Sequence, residues 1–178
     1  MRFAWVPIHN NERMDVMGTM TAKSTSVVAF LTGQHEQIKQ LFEQVIAAQG
    51  KERERTLGQL RRLLAVHEAA EEEIVHPAGQ KVIPDGDPVV GARVAEEKKA
   101  NRALAELATL DVSSAEFEQK IVKLQMDVLA HARAEETQEF KQLEAKVSPE
   151  KLESMERAAE RVEANAARSG TAGVSRMH

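Results

Sequence analysis

The run His67-Glu68-Ala69-Ala70-Glu71 returns in outline 64 positions later as His131-Ala132-Arg133-Ala134-Glu135. Residues i and i+4 of an α-helix lie one above the other on one face, so each copy offers an imidazole and a carboxylate to a single point in space. One H-x-x-x-E is weak, because any helical, Glu-rich chain contains it by chance. Two copies at core-facing positions constrain the fold much more, since both pairs must be buried and satisfied.

The composition suits helices packed on aliphatic seams. The 178 residues are 42% hydrophobic and 29% charged, with only 3% aromatic residues and no tyrosine. That length fits one domain with appendages. A net charge of −4, with no basic stripe interleaved with aromatics, argues against nucleic acid as a partner. The absence of cysteine excludes disulfides, zinc-thiolate sites, iron-sulfur clusters and thiol nucleophiles, so any metal is held by nitrogen and oxygen. No apolar run approaches the roughly 18 residues of a membrane span. The first residues (Arg2, Phe3, Ala4, Trp5, Val6, Pro7) lack the apolar stretch of a signal peptide. The expected setting is soluble and cytoplasmic, with the chain a monomer or weak homo-oligomer.

Hydrophobic spacing divides the chain into five helical segments. Residues 1–23 have no periodicity and read as a mobile extension, where His9 is a tail histidine and Met17 or Met20 is an alternative start. A first helix is expected from a cap at Ser24 or Thr25 to about Ala48, stopped by Gly50. Its seam is Val28, Leu31, Ile38, Phe42 and Val45, with His35 in the one gap. The second helix runs from about Lys51 into Ala78, with Leu57, Leu60, Leu64, His67, Glu71 and Ile74 in register and Pro77 marking its weakening. A turn-rich stretch, 79–88, follows. The third, from about Val89 to Leu110, carries Val90, Val94, Glu97, Asn101, Leu104 and Ala108. The fourth follows a cap within Asp111–Ser114 and carries Phe117, Ile121, Leu124, Val128, His131, Glu135 and Gln138. Ser148 and Pro149 open a fifth segment to about Arg168 that packs outside the others, pairs with another chain or frays; Ser169 to His178 read as disordered. The expected architecture is all-α: an up-down-up-down four-helix bundle over 24–146, with an N-terminal extension and an extra C-terminal helix in 147–178.

Height in such a bundle follows from counting residues away from each connection. From Gly50, His35 lies 15 residues back while His67 and Glu71 lie 17 and 21 forward. From Val112, Glu97 lies 15 back and His131 and Glu135 lie 19 and 23 forward. Three histidines and three carboxylates thus converge in an aliphatic bundle. Burying them unpaired would cost several kcal/mol each, in a fold whose net stability is about 5–15 kcal/mol. A pair of metal ions would compensate; a hydrogen-bonded His-Glu network that sets helix register is the other reading.

With Gln34-His35-Glu36, His67-Glu68-x-x-Glu71 and His131-x-x-x-Glu135 in this order, the chain resembles the hemerythrin-like superfamily, specifically the HHE cation-binding domain, over about residues 25–146. The resemblance implies a four-helix bundle around two iron ions, oxo- or hydroxo-bridged, with His35, His67 and His131 as terminal ligands and Glu71 and Glu135 as bridging carboxylates. The family's third helix usually adds a histidine in a Glu-Glu-His run, whereas this chain has Glu96-Glu97-Lys98. Glu97 is the best substitute and Asn101 the next; Lys98 is expected to reach outward. Reversible O₂ carriage goes with more histidines and fewer carboxylates. The implied function is therefore catalase-like H₂O₂ decomposition, or reaction with O₂ or NO, in oxidative-stress defence, with Glu68 or Lys98 assisting protons. The alternative is a sensor of O₂ or iron without turnover, reporting through the segment after Pro149. A ferritin-like Glu-x-x-His site is disfavoured because Glu73-Ile74-Val75-His76 has no second copy. His76, off the seam by this count, is expected to be structural or to support the site from outside.

Overall fold

Aliphatic residues at steps of 3 and 4 produce helices throughout the computed structural model, which describes residues 26–174; no strand occurs among them. The helices are α1 (Val27–Ala47), α2 (Gly50–Ala70), α3 (His76–Val82), α4 (Gly86–Leu107), α5 (Ala115–Ala134), α6 (Phe140–Lys146) and α7 (Pro149–Val174). The expected N-terminal extension, with His9, Met17 and Met20, lies outside the described residues, as do residues 175–178. Ser26 caps α1, its hydroxyl accepting the Ala29 N–H at 3.2 Å, so the cap falls just after the anticipated Ser24 or Thr25. Ser114 caps α5 as expected, accepting from Phe117 N–H.

Gly50 opens α2 rather than stopping α1. Its φ of +52° lies in the left-handed region, where a side chain costs about 1–2 kcal/mol. The chain reverses there through Ala48 and Gln49. Arg53 is buried beneath the reversal and donates to the carbonyls of Ala48, Ile46 and, across the bundle, Val112. The first two bonds satisfy carbonyls at the end of α1, and the third ties the reversal to the connection between α4 and α5.

Two helices are interrupted in the same way. A π-turn over Glu71–Val75 joins α2 to α3, and another over Glu135–Glu139 joins α5 to α6. In each the N–H five residues on returns to the glutamate carbonyl: His76 to Glu71, and Phe140 to Glu135. The wider turn absorbs one extra residue without breaking the rod. Helix therefore persists past Pro77 to Val82, and the connection before α4 is shorter than the stretch 79–88 anticipated.

The rods enclose two apolar cores. One joins Ile38, Phe42, Leu60, Leu64, Leu104, Phe117, Ile121 and Leu124. The other joins Val27, Leu31, Val75, Phe140 and Leu143 to Leu152, Met155 and Ala159 of α7. The C-terminal helix, whose docking the sequence leaves open, thus packs on α1 and α2 and completes the second core. Burial of Leu152 and Met155 alone is worth about 1.5–3 kcal/mol each. Between the two cores lies a layer of polar side chains.

Candidate metal centre

Each residue of that layer occupies a position that helical spacing would otherwise give to an aliphatic side chain. His35 stands between Leu31 and Ile38 on α1. On α2, His67 follows Leu64, and Glu71 begins the π-turn. Glu97 on α4 precedes Ala100, and His131 with Glu135 follows Val128 on α5. Glu71 and Glu135 are 0% exposed, and Glu97, His35 and His67 are nearly as deep.

The six residues form two overlapping sets. His35, His67, Glu71 and Glu135 can each direct one ligand atom into a space where all lie within 4.8 Å of one another; Glu71, Glu97, His131 and Glu135 do the same. Glu71 and Glu135 belong to both. The Nε2 atoms of His67 and His131 lie 3.1 Å from Glu71 and 3.3 Å from Glu135, and His35 Nε2 lies 3.3 Å from Glu135. Yet neither glutamate has a hydrogen-bond partner on either oxygen, and His35 Nε2 has none. Donors and acceptors face a common interior rather than each other, as groups around a cation do. Buried polar atoms left unsatisfied in this number call for a ligand, and nitrogen and oxygen donors of this kind fit a first-row metal ion.

The other ring nitrogen of each histidine is held from outside. His35 Nδ1–H donates to Glu136 at 2.8 Å, His67 Nδ1–H to Gln34 Oε1 at 2.7 Å, and His131 Nδ1–H to Glu96 at 2.9 Å. Such contacts fix the tautomer that leaves Nε2 free to ligate. Gln34 in turn donates to Glu163 on α7 at 2.8 Å, so the C-terminal helix reaches the site through one amide.

Charge in the metal-free layer follows from burial and proximity. Burial opposes the cationic form of His35, but Glu135 and Glu71 outweigh it and raise its pKa to about 10; Glu135 chiefly raises His131 to about 9. Burial also works against ionised Glu71, yet His67 and His35 hold its carboxyl well below the usual range. Glu68 is pushed up to about 7, mainly by burial, although Asn101 donates to it at 2.6 Å. Burial raises Glu97 as well.

Residues 26–143 match the family profile described as the Hemerythrin HHE cation binding domain. The chain belongs to that family. Among solved structures, an HHE cation binding domain-containing protein from Mycobacterium kansasii has the same fold, with a TM-score of 0.75 and 18% identity over 86% of this chain and 94% of that one. No curated protein matches significantly. In this HHE domain Glu97 faces the cluster from α4 and joins one ligand set, while Asn101 donates to Glu68. Lys98 is exposed, as expected of a side chain that reaches outward. The seam after Glu135 passes to Glu139, not Gln138, because the π-turn adds one residue. For the same reason Val75 is more deeply buried than Ile74.

His76, off the seam by the sequence count, lies inside the core and beside the cluster. It is 3% exposed, with Nε2 at 2.7 Å from Glu97 and Nδ1 at 3.2 Å from the fully buried Glu139. Burial opposes its charge, but Glu139 and Glu97 prevail and raise its pKa to about 10. Glu73 is exposed, so the Glu-x-x-His motif does not act as a unit. Pro77 in the middle of a helical pattern was the available signal that the 3.6 period failed there.

A cavity of about 220 Å³ adjoins the cluster, lined by His67, Glu68, Glu97 and His131 among others and reaching Lys99 and Asp127 on α4 and α5. Those two side chains pair at 3.0 Å near the surface.

Proposed function

We propose that this chain holds two iron ions in the polar layer of an up-down-up-down four-helix arrangement and uses them to decompose hydrogen peroxide, or to react with O₂ or NO, in oxidative-stress defence. The observation that carries this reading is the membership of Glu71 and Glu135 in both ligand sets. Two carboxylates common to two sets would be shared by two ions. His35 and His67 would then complete one ion's ligands, and His131 and Glu97 the other's. Three imidazoles with three carboxylates form an oxygen-rich donor set, which favours ferric iron and supports redox chemistry over reversible carriage.

When bound, such a pair supplies two adjacent redox-active Lewis acids. The chain's own groups do the rest. Glu136, Gln34 and Glu96 keep three imidazoles oriented. The aliphatic cores above and below exclude water, and the cavity between α4 and α5 admits a molecule the size of peroxide. Glu68, on the cavity wall, is the group placed to hold a proton there.

The test is iron per chain on protein from iron-supplied cells, read with near-ultraviolet absorbance and the initial rate of O₂ release from peroxide. About two irons, oxo-to-iron charge-transfer bands and sustained O₂ release are expected. A folded helical protein that takes up no iron would sink the reading.

One contact favours a second reading. The path Glu163–Gln34–His67 joins α7 directly to a ligand histidine. A sensor would use it to transmit occupancy to the C-terminal helix, with iron changing amide exchange across α7 and no peroxide turnover.

A further inference from the structure

We propose that His76 is a fourth imidazole ligand of this centre, binding through Nε2 to the ion on the Glu97 side and oriented by Glu139. The inference rests on the two-ion reading above and adds to it a residue from outside the HHE motifs.

Four inward-facing histidines share one design. In His35, His67 and His131, Nδ1 meets a side-chain oxygen at 2.7–2.9 Å while Nε2 faces the buried carboxylates. His76 repeats it, with Nδ1 on Glu139 at 3.2 Å and Nε2 facing Glu97 at 2.7 Å. An outer carboxylate on one ring nitrogen and an inward-facing second nitrogen are the usual setting of a metal-bound imidazole. His76, Glu135 and the buried Glu139 form a third group whose ligand atoms lie within 4.8 Å of one another, so Glu135 is common to all three. Glu97 and Glu139 each retain one buried oxygen without a hydrogen-bond partner, so His76 alone does not satisfy them.

The count of donors points the same way. Without His76 one ion has two imidazoles and the other has only His131. With it, each has two, and the nitrogen missing where Lys98 follows Glu97 is supplied from a different helix. The π-turn makes this reachable, because it places His76 five residues beyond Glu71 on the same face. Gly79, one turn further, lets α3 press against Glu139: a Cβ there would lie 2.5 Å from Glu139 Oε1.

The competing role for His76 is a fixed cation between Glu97 and Glu139, protonated on both nitrogens and bound to no metal. Proton NMR of the full chain loaded anaerobically with iron(II) alone separates the two. Each iron-bound imidazole that retains Nδ1–H gives one strongly shifted signal that vanishes in D₂O. Four such signals are expected, and three with two irons per chain would overturn the assignment while leaving the two-ion reading intact. His76→Ala should lose one signal, weaken the second iron at least about tenfold and regain it with added imidazole. An unchanged spectrum and iron affinity in that variant would also overturn the assignment. Should the variant fail to fold, the signal count in the unaltered chain decides. Absence of iron uptake by the unaltered chain would remove the two-ion reading itself, and the assignment with it.

Discussion

Both interrupted rods carry a His-x-x-x-Glu pair, and in both the π-turn begins at the glutamate, Glu71 in the first and Glu135 in the second. Up to that point they are near copies. Immediately beyond it they diverge: the first rod continues Val75-His76, the second Glu139-Phe140. Phe140 lies flat on the His35 ring, 5.7 Å between centroids and 5° from parallel. His76 bonds to Glu139 through one ring nitrogen and to Glu97 through the other. One backbone frame, used twice, thus gives the polar layer an apolar lid over His35 and a polar wall beside Glu97. The frame fixes where side chains converge; the last residue of each turn and the one after it decide what chemistry they bring.

The most severe way to test the equivalence of the frames is to remove either shared carboxylate. Glu71→Ala and Glu135→Ala should each take the chain from about two ions to nearly none by elemental analysis, because each side chain belongs to both ligand sets. A variant that kept one ion would show that the rods are not equivalent. The lid comes next. Phe140→Ala should cost the metal-free protein about 3–5 kcal/mol in urea unfolding, as expected for a fully buried ring. A loss under about 1 kcal/mol would mean that the site yields freely on that side.

pH sharpens the contrast less drastically. In the metal-free protein His35 and His131 have pKa values raised from 6.5 to about 10 and about 9, so the folded state binds protons that the unfolded chain has released. Their stabilisation is complete below about pH 6.5 and is lost as pH rises through 9 to 10. Iron must displace the same protons, so its affinity should rise over that window while metal-free stability falls. Urea midpoints and iron titrations at pH 6.5, 8 and 9.5 would check both slopes, and a metal-free midpoint that climbed with pH would contradict the assigned charges. The smallest effect is expected at Lys98→Ala. This exposed residue should leave iron content unchanged and stability within about 0.5 kcal/mol.

The features legible in the sequence are those that depend on regular helix. Apolar seams, the caps at Ser114 and the Ser148–Pro149 start, and the common height of His35, His67, Glu71, Glu97, His131 and Glu135 all follow from a 3.6-residue period applied over short distances. The count fails at Glu72 and Glu136, where each turn takes in an additional residue. Gln138 and Ile74 are then displaced from the core in favour of Glu139 and Val75, and His76 rotates inward. Apart from Pro77 after the first, no local signal announces a π-turn; it is favoured by what the glutamates must face, a tertiary demand. The docking of α7 was hidden for a similar reason. Its apolar residues are few, and whether they find a core depends on the surface that Val27, Leu31 and Val75 jointly leave open.

That last core spans the sequence, from Val27 to Ala159. During synthesis the first bundle core, which needs nothing beyond Val128, can close while the later helices are still being made. The second cannot close until α7 arrives and brings Glu163 to Gln34. His67 therefore gains its full outer support among the last events of folding. A nascent chain passes through a stage in which the ligand pairs are translated but one side of their layer is open to water, and that stage offers an ion a wider entrance than the finished protein does.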